Sequence, residues 1–155
     1  MERFDDKDVC FMKRAIELAR IAADMGEVPV GALVVRDGEI ISEAYNLRET
    51  NGISTAHAEL LAIEEACRKL GSWRLCGATL YVTLEPCPMC AGTIINSRID
   101  RVVYGIEDAK AGALGSVVNL GAYPFNHSFR SVGGVCAREC AEILIDFFKK
   151  KRNKF

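Results

Sequence analysis

Thr79–Leu84 is a run of β-branched and aromatic residues that Pro86 and Pro88 cut off. A helical stretch from about Met89 to Asn96 then leads to a second short strand, Arg101–Tyr104, with Pro88 suited to the first helical turn. A strand, a crossover helix and a strand close right-handed and pair in parallel. This unit constrains the fold most, because a parallel pair is normally covered by helices.

The rest of the chain supplies them. Asp6 or Asp8 is the expected cap of a first helix whose apolar face runs Val9, Met12, Ile16, Ala19 and Ala23, with Gly26 as its stop. Val30–Val35 and Glu39–Tyr45 read as strands joined through Arg36-Asp37-Gly38, a hairpin signal because Asp and Gly tolerate positive φ. A polar loop over residues 46–54 leads to Thr55, the expected cap of a helix running to about Leu70. Leu60, Ile63, Ala66, Cys67 and Leu70 form its inward face, and Gly71 ends it. Residues 105–126 read as an irregular loop over a site, Arg130–Val135 as a last strand, and Ala137–Arg152 as a last helix with the stripe Cys140, Ile143, Leu144 and Phe147. Alternating strands and helices predict the α/β class, with helices on both faces of one mixed sheet. The 155 residues are enough for one core and too few for two comfortable domains, so residues 1–155 are expected to form a single domain.

Composition narrows the function classes. Half the residues are hydrophobic and the net charge is −1, which excludes disorder as the dominant state. No apolar run approaches the ~20 residues of a membrane-spanning helix. The stretch Met1–Asp6 lacks the basic head and apolar run of a secretion signal, so a cytoplasmic protein is expected. The seven cysteines then read as reduced thiols, most of them small buried hydrophobes; Cys136 and Cys140, one helical turn apart, are expected to be such thiols. Residues 147–155 hold five basic groups and no acid, which leaves −6 on the remaining 146 residues. Such a tail suits a polyanion, and equally a solvated helix end. An acidic body means that any RNA affinity must come from a local basic patch.

Two short motifs carry chemistry. His57-Ala58-Glu59 opens the second long helix, and Pro86-Cys87-Pro88-Met89-Cys90 sits at the turn from strand to crossover helix. Alone, Cys-x-x-Cys also fits a redox pair and His-x-Glu a surface cap. One histidine and two cysteines make three zinc ligands and leave the fourth tetrahedral position for water, which is the catalytic arrangement. His127 is the only other histidine, and a structural or RNA-contact role suits it better than ligation. Glu59, two residues beyond His57, points beside the metal, where a carboxylate can move protons. The paired motifs, about thirty residues apart, are the recognised signature of zinc-dependent nucleobase deaminases.

The chain resembles the bacterial tRNA-specific adenosine deaminases of the cytidine deaminase-like superfamily. The similarity takes in Glu27–Ala32, Thr55–Glu59, Leu80–Gly92, Asp108–Gly112 and Asp146–Lys149. The zinc motif is common to the superfamily, and the later segments point to this branch. The resemblance implies a three-layer α/β/α sandwich around a mixed, roughly five-stranded sheet. It implies a hydrolase acting on a cyclic amidine C–N bond, which deaminates the wobble adenosine of a tRNA anticodon loop to inosine. In that reading His57, Cys87 and Cys90 bind one zinc ion per subunit, zinc hydroxide attacks C6 of the flipped-out adenine, and Glu59 shuttles the protons. Asn46, Asp108, Lys110, Asn126, Phe148 and Lys149 are the implied RNA contacts, with Phe147 buried and Phe148 partly exposed. The implied partners are a tRNA anticodon stem-loop and a second copy of the chain, with no membrane and no nucleotide cofactor; an exposed apolar face on Met89–Ile95 would fit the homodimer. The rivals are a deaminase of free guanine, cytosine or cytidine, and a non-catalytic zinc-stabilised RNA-binding module.

Overall fold

The computed structural model describes residues 3–153. Met1 and Glu2, and Lys154 and Phe155 of the basic tail, lie outside the described residues. Five strands, β1 (Gly31–Arg36), β2 (Glu39–Tyr45), β3 (Thr79–Leu84), β4 (Arg101–Ile106) and β5 (Arg130–Val132), form one mixed sheet in the order β2-β1-β3-β4-β5. β1 pairs antiparallel with β2 and β3; β3–β4 is parallel, as the strand–helix–strand unit requires, and β4–β5 is parallel as well. The hairpin turn is made by Asp37 and Gly38, both at positive φ.

The helices are α1 (Asp6–Asp24), α2 (Arg48–Asn51), α3 (Ala58–Leu70), α4 (Pro88–Asn96) and α5 (Ala137–Arg152). The central strands are buried on both faces, so their side chains alternate between two cores. Val34, Leu80, Val82 and Val102 pack with Ala62 and Ile63 of α3 and Ile94 of α4. Leu33, Tyr81 and Val103 pack on the other face with Met12 and Ile16 of α1 and Cys140 of α5. The result is the three-layer α/β/α sandwich.

Several local expectations are corrected. The cap of α1 is Asp5, not Asp6 or Asp8; Asp8 is the third helical residue and closes a capping box with Asp5. The cap position of α3 is held by His57 rather than Thr55, with no side-chain cap bond. The polar loop contains the short helix α2. β4 extends through Gly105 and Ile106, and β5 stops at Val132. Of the seven cysteines only Cys90 and Cys140 are buried, and Cys10 and Cys76 are exposed. Cys136 is half-buried and is the residue before α5, not a member of its face. On α5 only Cys140 is fully buried, which leaves much of the helix facing outward. Ile94 and Ile95 of α4 are buried, which leaves exposed Pro88 and half-buried Met89 as the apolar surface of that helix.

Registers fix which end of the sheet is chemical. Gly31 is opposite Tyr45, Ala32 opposite Val82, and Leu84 opposite Ile106. The segments that follow β2, β3 and β4 therefore leave from one edge, outside the carboxyl ends of the parallel strands, where α/β folds place ligands. At the other end Asp8, 2% exposed, ties α1 to the sheet. It accepts from Arg101 at 2.7 and 2.8 Å and from the Tyr81 hydroxyl at 2.7 Å.

Burial alone would raise the Asp8 carboxyl, but the Arg101 and Tyr81 donors outweigh it and hold the pKa at about 2, against 3.8 ordinarily. A group lowered on folding stabilises fully above its unfolded value and ceases to do so as pH falls through the folded one. Urea unfolding measured from pH 5 to pH 2 should show stability falling through this window, and falling less steeply in Asp8→Asn. Parallel pH profiles for the two proteins would mean that the ion pair contributes nothing.

Candidate active site

α3 and α4 begin side by side at the chemical edge. His57 is the residue before α3 and Cys87 the residue before α4, with Pro88 at the first helical position and Cys90 in the first turn. Pro88 suits that position because its missing N–H would have had no partner there. The positive end of each helix dipole, with its free N–H groups, favours negative charge on the donors.

The two motifs meet in space. His57 Nδ1 lies 3.7 Å from the Cys87 sulfur and 3.6 Å from the Cys90 sulfur, and the three donor atoms all fall within 4.8 Å of one another. A tetrahedral ion with metal–sulfur bonds of about 2.3 Å and metal–nitrogen bonds of about 2.0–2.1 Å needs nitrogen and sulfur about 3.6 Å apart. The donor triangle fits. Among the described residues no fourth His, Cys, Asp or Glu joins the group.

The two cysteines shift each other in opposite directions. The hydrogen bond from Cys90 holds the Cys87 thiol down to about 4, helped by His57, and the same contact pushes Cys90 up. His57 is raised by its contact with Cys87, against its own burial and, to the least extent, the charge of Arg48 at the start of α2. A cation at the centre would favour deprotonation of both sulfurs. Glu59 is 4% exposed and outside the donor group. Burial pushes its carboxyl up, opposed by its own backbone amide and by Cys90. A carboxyl raised towards neutrality beside a metal site can both take and give a proton.

The outer residues divide. Asn46 is buried and shapes the turn into α2: its Nδ2 donates to the Val28 carbonyl at 3.1 Å and its Oδ1 accepts from the Arg48 amide at 3.2 Å. Asp108 Oδ1 accepts from the Lys110 and Ala111 amides at 3.1 and 3.2 Å, and Lys110 is exposed on that turn. A groove of about 600 Å³ joins Lys110 to Leu144, Ile145, Phe148, Lys151 and Arg152 of α5. Lys149 is exposed and does not line it. Phe148 is 43% exposed and stands edge-on to Phe147 at 5.3 Å; Phe147 is half-buried rather than buried. Asn126 is exposed and apart from the groove lining. His127 contacts the Ile99 carbonyl at 2.7 Å through Nε2, a structural role away from the metal donors.

Two buried carboxylates escaped the sequence reading. Glu27, fully buried, accepts from the Glu49 and Thr50 amides at 3.0 and 2.6 Å and holds α2 in place. Glu85, two residues before Cys87, receives the loop that follows β4. The partners of each lie more than twenty residues away, and only an acid beside an apolar run hinted at either.

Comparison with known proteins agrees with this geometry. The profile of the MafB19-like deaminases matches residues 5–152. The tRNA-specific adenosine deaminase of Bacillus subtilis is 53% identical over 149 residues, 96% of this chain and 92% of that protein. A solved structure of the tRNA:A34 deaminases, which carry out A-to-I editing at the wobble position of transfer RNA, superposes with a TM-score of 0.85 at 45% identity, over 87% of this chain and 99% of that one. The guanine deaminase of Bacillus subtilis is more distant, with a TM-score of 0.62 at 32% identity, over 79% of this chain and 88% of that one.

Dialysis against Zn²⁺ should load one ion per chain. His57→Ala or Cys87→Ser should weaken retention by at least about 100-fold, and His127→Ala should leave it unchanged. Loss of the ion from His127→Ala would mean that the site extends beyond the donor triangle.

Proposed function

The chain belongs to the MafB19-like deaminases and, among them, groups with the tRNA-specific adenosine deaminases, and from that premise we propose that it hydrolyses the wobble adenosine of a tRNA anticodon loop to inosine. The observation that carries the reading is the His57, Cys87, Cys90 triangle with buried Glu59 beside Cys90. The likeness to relatives supports adenosine in tRNA over a free base, since 53% identity over nearly the whole chain exceeds the 32% shared with a guanine deaminase. The basic and apolar groove supports an RNA substrate, because a free nucleobase has no use for it.

His57, Cys87 and Cys90 are the residues that would hold one zinc ion, and zinc, when bound, brings the pKa of a coordinated water towards ~7. Glu59 does the proton work. It takes a proton from the attacking water and delivers it to N1 of the adenine, then takes the proton of the new hydroxyl on C6 and passes it to the departing amine, so that adenosine and water give inosine and ammonia. Its buried position keeps competing bulk water from that carboxyl.

RNA recognition is assigned to the rim. Asn46, Asp108 and Lys110 stand on the segments after β2 and β4. Phe148, with Lys151 and Arg152, gives a stacking face flanked by phosphate partners, and Lys149 and Asn126 complete the proposed contacts. Arg48, exposed and close enough to His57 to influence its protonation, is suited to a phosphate beside the target base. The same reading makes residues 1–155 one deaminase domain, acting in the cytoplasm as a homodimer. No helix among the described residues is long and apolar enough to cross a membrane.

An anticodon stem-loop with adenosine at the wobble position should yield inosine, read by sequencing or nucleoside chromatography. Glu59→Ala should lower kcat by about 10²–10⁴-fold while retaining zinc. Ammonia released from free guanine, with no inosine in the stem-loop, would favour the free-base reading. Full activity in Glu59→Ala would remove Glu59 from the mechanism.

A further inference from the structure

Glu85 is 2% exposed and lies between the last residue of β3 and the Pro86-Cys87 turn. Its side chain spends all its accepting capacity on one irregular loop. Oε1 accepts from the Asp108 amide at 3.1 Å and from the Ser116 hydroxyl; Oε2 accepts from the Leu114 and Ser116 amides at 2.9 and 3.1 Å. The Ala113 amide adds a bond to the Pro86 carbonyl at 2.8 Å. Gly112 makes this close approach possible: a Cβ there would stand 2.4 Å from the carboxylate. The segment from Asp108 to Ser116 has no helix or strand of its own; besides its own turns, such as the Gly112 amide to the Asp108 carbonyl at 2.8 Å, this carboxylate and the Ala113 bond tie it to the body of the protein.

We propose that Glu85 is the positioning residue that locks the Asp108–Ser116 loop to the metal-ligand turn, so that Lys110 meets RNA in fixed register with the reacting base. The proposal rests on the reading of the chain as a tRNA deaminase. One side chain thus joins two functions: its backbone runs into Cys87, and its carboxylate holds the loop that forms one wall of the groove with Phe148 and Lys151. Asp108 itself is shaped from both sides, its amide held by Glu85 and its carboxylate capping the Lys110 and Ala111 amides. Loop order paid for in the free protein is not paid again on binding, so the expected effect falls on substrate affinity.

Glu85→Gln tests this with little change of volume. An amide in place of the carboxylate leaves one oxygen for Leu114 and Ser116 and turns an NH₂ towards the Asp108 amide, where two donors face each other. The variant should retain one zinc ion per chain. Tryptic cleavage after Lys110 should quicken about tenfold, as expected when a hydrogen bond to a charged group is lost. KM for the anticodon stem-loop should rise about tenfold, with the loss falling on KM rather than kcat. Gly112→Ala, which pushes the loop off an intact carboxylate, should reproduce both changes and stands in should Glu85→Gln fail to fold. Unchanged cleavage after Lys110, or a loss confined to kcat, would overturn the proposal. Absence of inosine with the unmodified chain would count against the proposed reaction alone, since the cleavage rate reads the loop without substrate.

Discussion

Three soft donors within 4.8 Å of one another can serve a metal only while two helices begin side by side, and the rest of the fold is arranged around that requirement. The parallel β3–β4 pair fixes where α4 starts, because the crossover helix must leave from the carboxyl end of β3. The antiparallel β1–β2 hairpin brings the chain back to the same edge, from which α3 is launched. Ala58, Ala62 and Ala66 let α3 lie close on the sheet, so His57 reaches the sulfurs without a long side chain intervening. Each helix dipole then points its positive end at the sulfurs, which favours thiolate before any ion arrives.

Electrostatics divides the molecule by end. At the far edge Asp8, Arg101 and Tyr81 close a compact ion pair that serves α1 and the sheet. At the chemical edge three buried carboxyls have three different environments. Glu27 and Glu85 are surrounded by amide and hydroxyl donors, which outweigh the cost of burial and keep both below the usual carboxylate range. Glu59 has fewer donors and is raised by burial. The two lowered carboxyls organise loops, and the raised one is the one to which the proposed proton transfer is assigned. Their environments separate the three carboxyls more clearly than their positions along the chain do.

Much of this was legible in the sequence where local chemistry decides local structure. Glu39–Tyr45, Thr79–Leu84 and Ala137–Arg152 end where read, because Asp-Gly, Pro86 and the apolar stripe act over a few residues. The candidate donor triangle was legible too, since Cys-x-x-Cys and His-x-Glu keep their spacing through any fold. What escaped was set at a distance. Thr55 has the chemistry of a cap, yet His57 takes the cap position of α3, between buried Ala56 and Ala58. The four residues of α2 hold together on Glu27, whose partners are 22 and 23 positions away. Cys136 follows the helical pattern of α5 but lies outside it, at positive φ. Of the groove residues, Leu144 was visible only as part of a helical stripe and Ile145 not at all, because their partner Lys110 comes from a loop held by Glu85.

X-ray absorption at the zinc edge of the loaded protein tests the donor triangle most directly. Two sulfurs at about 2.3 Å and two nitrogen or oxygen neighbours at about 2.0–2.1 Å is the expected shell, with His57 and one solvent oxygen as the light atoms. A third or fourth sulfur would contradict it, as would a preparation that takes up no stoichiometric metal.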